Sequence, residues 1–101
     1  MSEKCVVTKV ATADQLFESE PTRVYWLTVI PQTAGTDGLI TIRDGTDANG
    51  TPQWQAWVRE TKHFHFAPPI RCVMGLFIDV DANIDSYTIG YLTEDVALSG
   101  P

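Results

Sequence analysis

Apolar and polar positions alternate every second residue in several stretches of this chain, and no stretch repeats them every three or four. In Lys62-His63-Phe64-His65-Phe66 the two Phe fall on one face and the two His on the other. Leu76, Ile78 and Val80 share a face, with Phe77 and Asp79 opposite; Trp54, Ala56 and Val58 share another, with Gln55, Trp57 and Arg59 opposite. A period of two is the signature of half-buried strands, because successive side chains point to opposite sides of a pleated sheet. The run Val24-Tyr25-Trp26-Leu27-Thr28-Val29-Ile30 is apolar on both faces, which marks a central or covered strand.

The pattern predicts strands near residues 4–12, 22–30, 38–43, 53–59, 62–67, 75–80 and 86–92, with a short eighth at 70–73. A single helical turn is expected at 13–18, with Asp14 as its cap. The connections carry turn chemistry: residues 34–38 and 44–50 are rich in Gly, Asp, Asn and Thr. Glu60-Thr61 reads as a tight reversal, making 53–59 and 62–67 a hairpin, and Pro68-Pro69 reads as the end of its second strand. Seven or eight short strands predict an all-β, antiparallel sandwich, with jelly-roll connectivity as one option. The 101 residues leave room for one domain, with 1–3 and 93–101 as loose arms.

Composition agrees with a folded globule: 44% of residues are hydrophobic and 10% aromatic. The formal charge of −6 is unevenly placed, since every Lys and Arg lies at or before Arg71 while Asp79, Asp81, Asp85, Glu94 and Asp95 follow it. An acidic chain without a basic stripe is repelled by phosphate backbones, so no nucleic-acid partner is expected. The longest apolar stretch, residues 24–31, is far shorter than the ~20 residues of a membrane helix, so no membrane partner is expected either. The start leads straight into a strand-like run rather than a signal-peptide core, which predicts a protein retained in the cytoplasm where it is made. Cys5 and Cys72 both sit in apolar runs and read as buried thiols, with a mutual disulfide as the alternative.

Candidate chemistry is sparse. His63 and His65 share a strand face, yet two imidazoles need a third ligand to hold a metal, and the plainer reading is a pair of surface histidines. Asp79-x-Asp81-x-Asn83-x-Asp85 imitates the front of an EF-hand loop but has Ile84 where Gly is required and Gly90 where a bidentate Glu is required. There is no nucleophile elbow and no phosphate-binding loop. No catalytic residue, cofactor or metal is therefore assigned, and the chain is expected not to be an enzyme. The aromatic positions say more: Trp57 and Phe77 fall on the polar faces of amphipathic strands, and Tyr25 on the second apolar face of its strand. Tyr25, Trp57, Phe77, His63 and His65 are the candidate interface residues, because exposed Trp and Tyr dominate interface energetics.

A set of framework residues runs through 22–92: Val24-Tyr25-Trp26-Leu27-Thr28-Val29, the 44–50 turn ahead of Trp54, and Phe64-x-Phe66-x-Pro68-Pro69-Ile70. Gly75-Leu76-Phe77-Ile78-Asp79 and Thr88-Ile89-Gly90-Tyr91 complete it. Taken in order, these residues resemble small structural proteins of tailed bacteriophages. The resemblance implies a β-sandwich virion component, a capsid decoration (cement) protein that self-associates, with a trimer favoured, and binds the major capsid protein at the head surface. The alternative is a carbohydrate- or receptor-binding module of a tail or fibre, using Trp57 or Tyr91 for stacking and Asp79 or Asp81 for hydroxyl groups or Ca²⁺.

Overall fold

The computed structural model describes residues 7–94, with side chains from residue 10 onward. Eight strands run in order: β1 (Val7–Ala11), β2 (Gln15–Glu18), β3 (Thr22–Pro31), β4 (Gly38–Asp44), β5 (Thr51–Val58), β6 (Lys62–Cys72), β7 (Leu76–Val80) and β8 (Ile84–Thr93). They form two four-stranded antiparallel sheets, a front sheet ordered β1-β8-β3-β6 and a back sheet ordered β2-β7-β4-β5. The pairings β1·β8, β2·β7, β3·β6 and β4·β5 are those of one long hairpin folded at residues 45–50. Rolling that hairpin over itself adds β3·β8 and β4·β7, and the product is a jelly roll.

The core forms where the two inner faces meet. Val24, Leu27, Val29, Tyr87 and Ile89 come from the front sheet, and Ile40, Ile42, Val58, Leu76 and Ile78 from the back, all fully buried. The alternation of 54–58 and 76–80 survives, with Trp54, Ala56, Val58, Leu76, Ile78 and Val80 on the inner face and Trp57 and Phe77 on the outer one. The even period breaks in β3, where pairing slips between Val24 and Trp26 on both sides. This bulge lets Val24 and Leu27, three apart, both face inward.

Three local expectations are corrected. Residues 15–18 form a strand rather than a helical turn: Phe17 packs edge-on against Tyr87 and Tyr91, and Asp14 accepts a hydrogen bond from the Val80 amide, 2.8 Å, instead of capping a helix. Residues 53–59 and 62–67 do not pair as a hairpin, because β5 and β6 lie in different sheets and the chain arches between them. The Pro68-Pro69 step does not end a strand; β6 runs through it, as an edge strand tolerates Pro, and the prolines sit opposite the β3 bulge. The predicted 62–67 and 70–73 are thus one strand.

The C-terminal boundary of the domain also shifts. Thr93 pairs with Thr22, and the next residue, Glu94, is buried with its carboxylate between Arg23 and Arg71, so both belong to the body rather than to a trailing arm. The arm residues 1–3 and 95–101 lie outside the described residues. Among the described residues no helix is long and apolar enough to cross a membrane.

Candidate functional site: two outer faces and an open flank

The five candidate interface residues do not form one patch. Trp57 and Phe77 lie on the outer face of the back sheet, two strands apart. Trp57 is paired with Leu39 and is 63% exposed, while Phe77 is half-buried between Leu16 and Arg43. His63 and His65 lie on the outer face of the front sheet, paired with Thr28 and Trp26. Tyr25 occupies the β3 bulge and is half-buried.

Trp26 is the residue that strict alternation misses. The bulge turns it outward, where its indole lies over Gly90 on β8: a Cβ at that glycine would stand 2.2 Å from the indole nitrogen. His63 completes the group, its ring 5.8 Å from the indole and tilted by 34°, with its Nδ1 hydrogen-bonded to Thr28 Oγ1 at 2.7 Å. Gly90 is therefore a seat for an aromatic ring rather than a turn residue. An inner Val24 followed by an inner Leu27 is the sequence signal that could have revealed this, once read as a parity change.

Asp79 and Asp81, two of the carboxylates that resembled ligands, serve the frame, as do Asp44 and Asp47. Asp79 pairs with Arg43 at 3.0 Å, and Arg43 also donates to the Gly50 carbonyl, bracing the β4–β5 turn. Asp81 accepts from the Leu39 and Asn83 amides, and Asp44 accepts from the Met74 amide. Asp47 accepts from the Asn49 amide within its own turn. Among the described residues no three His, Cys, Asp or Glu side chains gather as a metal site would require. A shallow hollow of about 550 Å³ at one end includes Asp14 and Asp81, and both are already held by backbone amides.

The perturbed groups are structural as well. Glu94 is held below the usual carboxylate range, chiefly by its hydrogen bond from Arg71 and then by Arg23. It thereby neutralises two arginines that stand directly opposite one another on β3 and β6. Burial pushes the Cys72 thiol up to about 12, leaving it unreactive at neutral pH. Burial also raises Tyr87, whose hydroxyl donates to the Ala13 carbonyl at 2.8 Å. The Cys5 half of the cysteine expectation lies outside the described residues. Tyr91 is buried in the core, which removes it as a stacking platform for sugars.

The flank where β5 faces β6 is different in kind. Trp54 meets Phe64 edge-on at 4.8 Å and Phe66 at 5.1 Å, yet all three rings, with Ala56, remain only half-buried. Nothing among the described residues closes over this seam. Apolar rings at a rim, beside the exposed Trp57, are suited to contact with another macromolecule and poorly suited to enclosing a small substrate. No protein-family model matches the chain, and no curated protein matches it.

Proposed function

We propose that this chain is a non-enzymatic structural protein of a bacteriophage virion, a capsid decoration protein that self-associates and binds the major capsid protein to stabilise the head shell. The observation that carries the reading is Trp57, 63% exposed on the outer face of the back sheet with an apolar seam beside it. An isolated domain gains nothing by holding a large ring in water, whereas burying one on docking contributes about 1.5–3 kcal/mol. The frame supports the same reading: among the described residues every buried side-chain polar atom of the two-layer jelly roll has a hydrogen-bond partner, and a well-ordered surface docks at low entropic cost. The virion setting itself comes from the resemblance of residues 22–92.

The test is co-sedimentation with head shells assembled from the major capsid protein of the same genome. The reading predicts that the wild-type chain pellets with shells and raises the temperature at which they break. Trp57→Ala is predicted to weaken that association about tenfold or more while leaving the melting temperature of the free chain nearly unchanged. A chain that ignores shells but binds glycans in a chelator-sensitive manner would instead support the tail or fibre module.

A further inference from the structure

Each sheet of a sandwich ends in two edge strands whose backbone groups are free to pair with another strand, and natural edges are blunted to prevent it. Three of the four edges here carry such devices. β6 has Pro68 and Pro69 within it and Lys62 and Arg71 along it. β2 is four residues long and slips register between Leu16 and Glu18. β1 offers five described residues with Lys9 at their centre. β5 is the exception: Thr51–Val58 has eight residues, none charged, and its one proline, Pro52, stands at the second position. In a chain that is 20% charged, an uncharged edge of this length is what pairing requires and what isolation would select against.

We propose that β5 is a self-docking edge, along which two copies pair antiparallel about a two-fold axis at Gln55 and join their back sheets into one continuous eight-stranded sheet. This rests on the self-association reading above and locates its contact.

The occupant follows from the edges themselves. Among the described residues the edges a second copy offers are β1, β2 and β6, all blunted, and β5, which is open; the matching surface for β5 among them is therefore β5. A surface that meets its own copy is isologous, and an isologous contact closes as a two-fold dimer. The trimer implied by the phage resemblance would need β5 to pair head-to-tail with one of the blunted edges.

The side chains fit that axis. With Gln55 opposite the partner's Gln55, each Trp54 stands opposite the partner's Ala56, a large ring against a methyl group, on the half-buried inner side. On the outer side each Trp57 stands opposite the partner's Gln53, and Gln55 meets its own copy amide to amide. No like charges face each other across the axis, which matters for two chains of formal charge −6. The paired edge also extends over the Trp54, Phe64 and Phe66 seam that the single chain leaves half-open.

Sedimentation velocity of the full chain over a concentration series tests this, using wild type, Gln55→Lys, Gln55→Glu and an equimolar mixture of the two variants. Gln55 is exposed, and the hydrogen bond its Oε1 accepts from Thr41 Oγ1 is long, 3.4 Å, and open to Gln55→Glu as well, so circular dichroism should show both variants folded. Wild type should dimerise, and each variant alone should dissociate at least about tenfold more readily, because like charges meet at the axis. Mixing the variants should restore the dimer. A wild-type chain that stays monomeric, forms a trimer, or dimerises equally well as Gln55→Lys overturns the proposal. A monomer that still pellets with shells sinks this inference and the self-association it rests on but leaves shell binding standing, whereas a β5-paired dimer that ignores shells sinks the shell reading alone.

Discussion

The two flanks of the sandwich solve the same problem in opposite ways. On the β1–β2 side, Phe17 lies edge-on against Tyr87 and Tyr91, both of which are buried, and the Tyr87 hydroxyl is hydrogen-bonded. On the β5–β6 side, Trp54 makes closer edge-on contacts, 4.8 Å to Phe64 and 5.1 Å to Phe66 against 6.1 and 5.7 Å for Phe17, yet each of the three rings remains half-exposed. Tyr87 and Tyr91 lie on β8, an inner strand of the front sheet, whereas Trp54, Phe64 and Phe66 lie on the edge strands β5 and β6, so position within the sheets underlies the contrast. Phe17, on the edge strand β2, is itself half-buried; the two tyrosines complete their packing within the chain, and no ring of the second set does. Aromatic contact geometry is thus a poor guide to whether a cluster is finished, and exposure decides.

The largest predicted effect breaks that comparison most sharply. Tyr87→Ala should cost about 3–5 kcal/mol by chemical denaturation, since it removes a fully buried ring and leaves a cavity. Phe66→Ala in the open flank should cost only about 1–2 kcal/mol, because half the ring is already in water. Equal costs would mean that the β5–β6 flank is as closed as its counterpart.

Trp26 and Trp57 provide a finer version of the same contrast. Trp26 has found its cover on Gly90, so Gly90→Ala should destabilise by about 1–3 kcal/mol, and that cost should largely vanish in a Trp26→Ala background. Trp57 has found none, and Trp57→Ala should alter the stability of the free chain by no more than about 0.5 kcal/mol in a thermal melt.

The smallest effect concerns the Arg23–Glu94–Arg71 group, at the far end of β6 from Phe64 and Phe66. Because the folded carboxylate sits below its usual range, its stabilisation is present above the unfolded value and is lost as pH falls through the folded one. Glu94→Gln should therefore differ most from wild type near neutral pH and converge with it in acid, as a pH series of denaturation midpoints would show.

Much of this fold was legible from a period of two. Trp54-x-Ala56-x-Val58 and Leu76-x-Ile78-x-Val80 announced their inner faces, and the Asp44-to-Gly50 segment announced the one turn that joins neighbouring strands of the same sheet. What failed was local chemistry overruled at a distance. Residues 13–18 lack a long alternation, and it is pairing with β7, far along the chain, that makes 15–18 a strand, with Phe17 packed on Tyr87 and Tyr91. Pro68-Pro69 reads as a stop unless β6 is known to be an edge facing a bulge. The expected strand number matched because a missed strand at 15–18 offset one strand read as two. The open flank was illegible for a related reason: Trp54 and Phe64 each look like core positions, and their half-burial follows from both of their strands ending a sheet.

Hydrogen–deuterium exchange of the Thr51–Val58 amides across a dilution series tests the central claim most directly. If β5 is the edge that docks, its amides should become protected as concentration rises, while those of β1, β2 and β6 keep the same exchange rates throughout. Exchange in β5 that is indifferent to concentration, or protection that rises equally along β6, would contradict it.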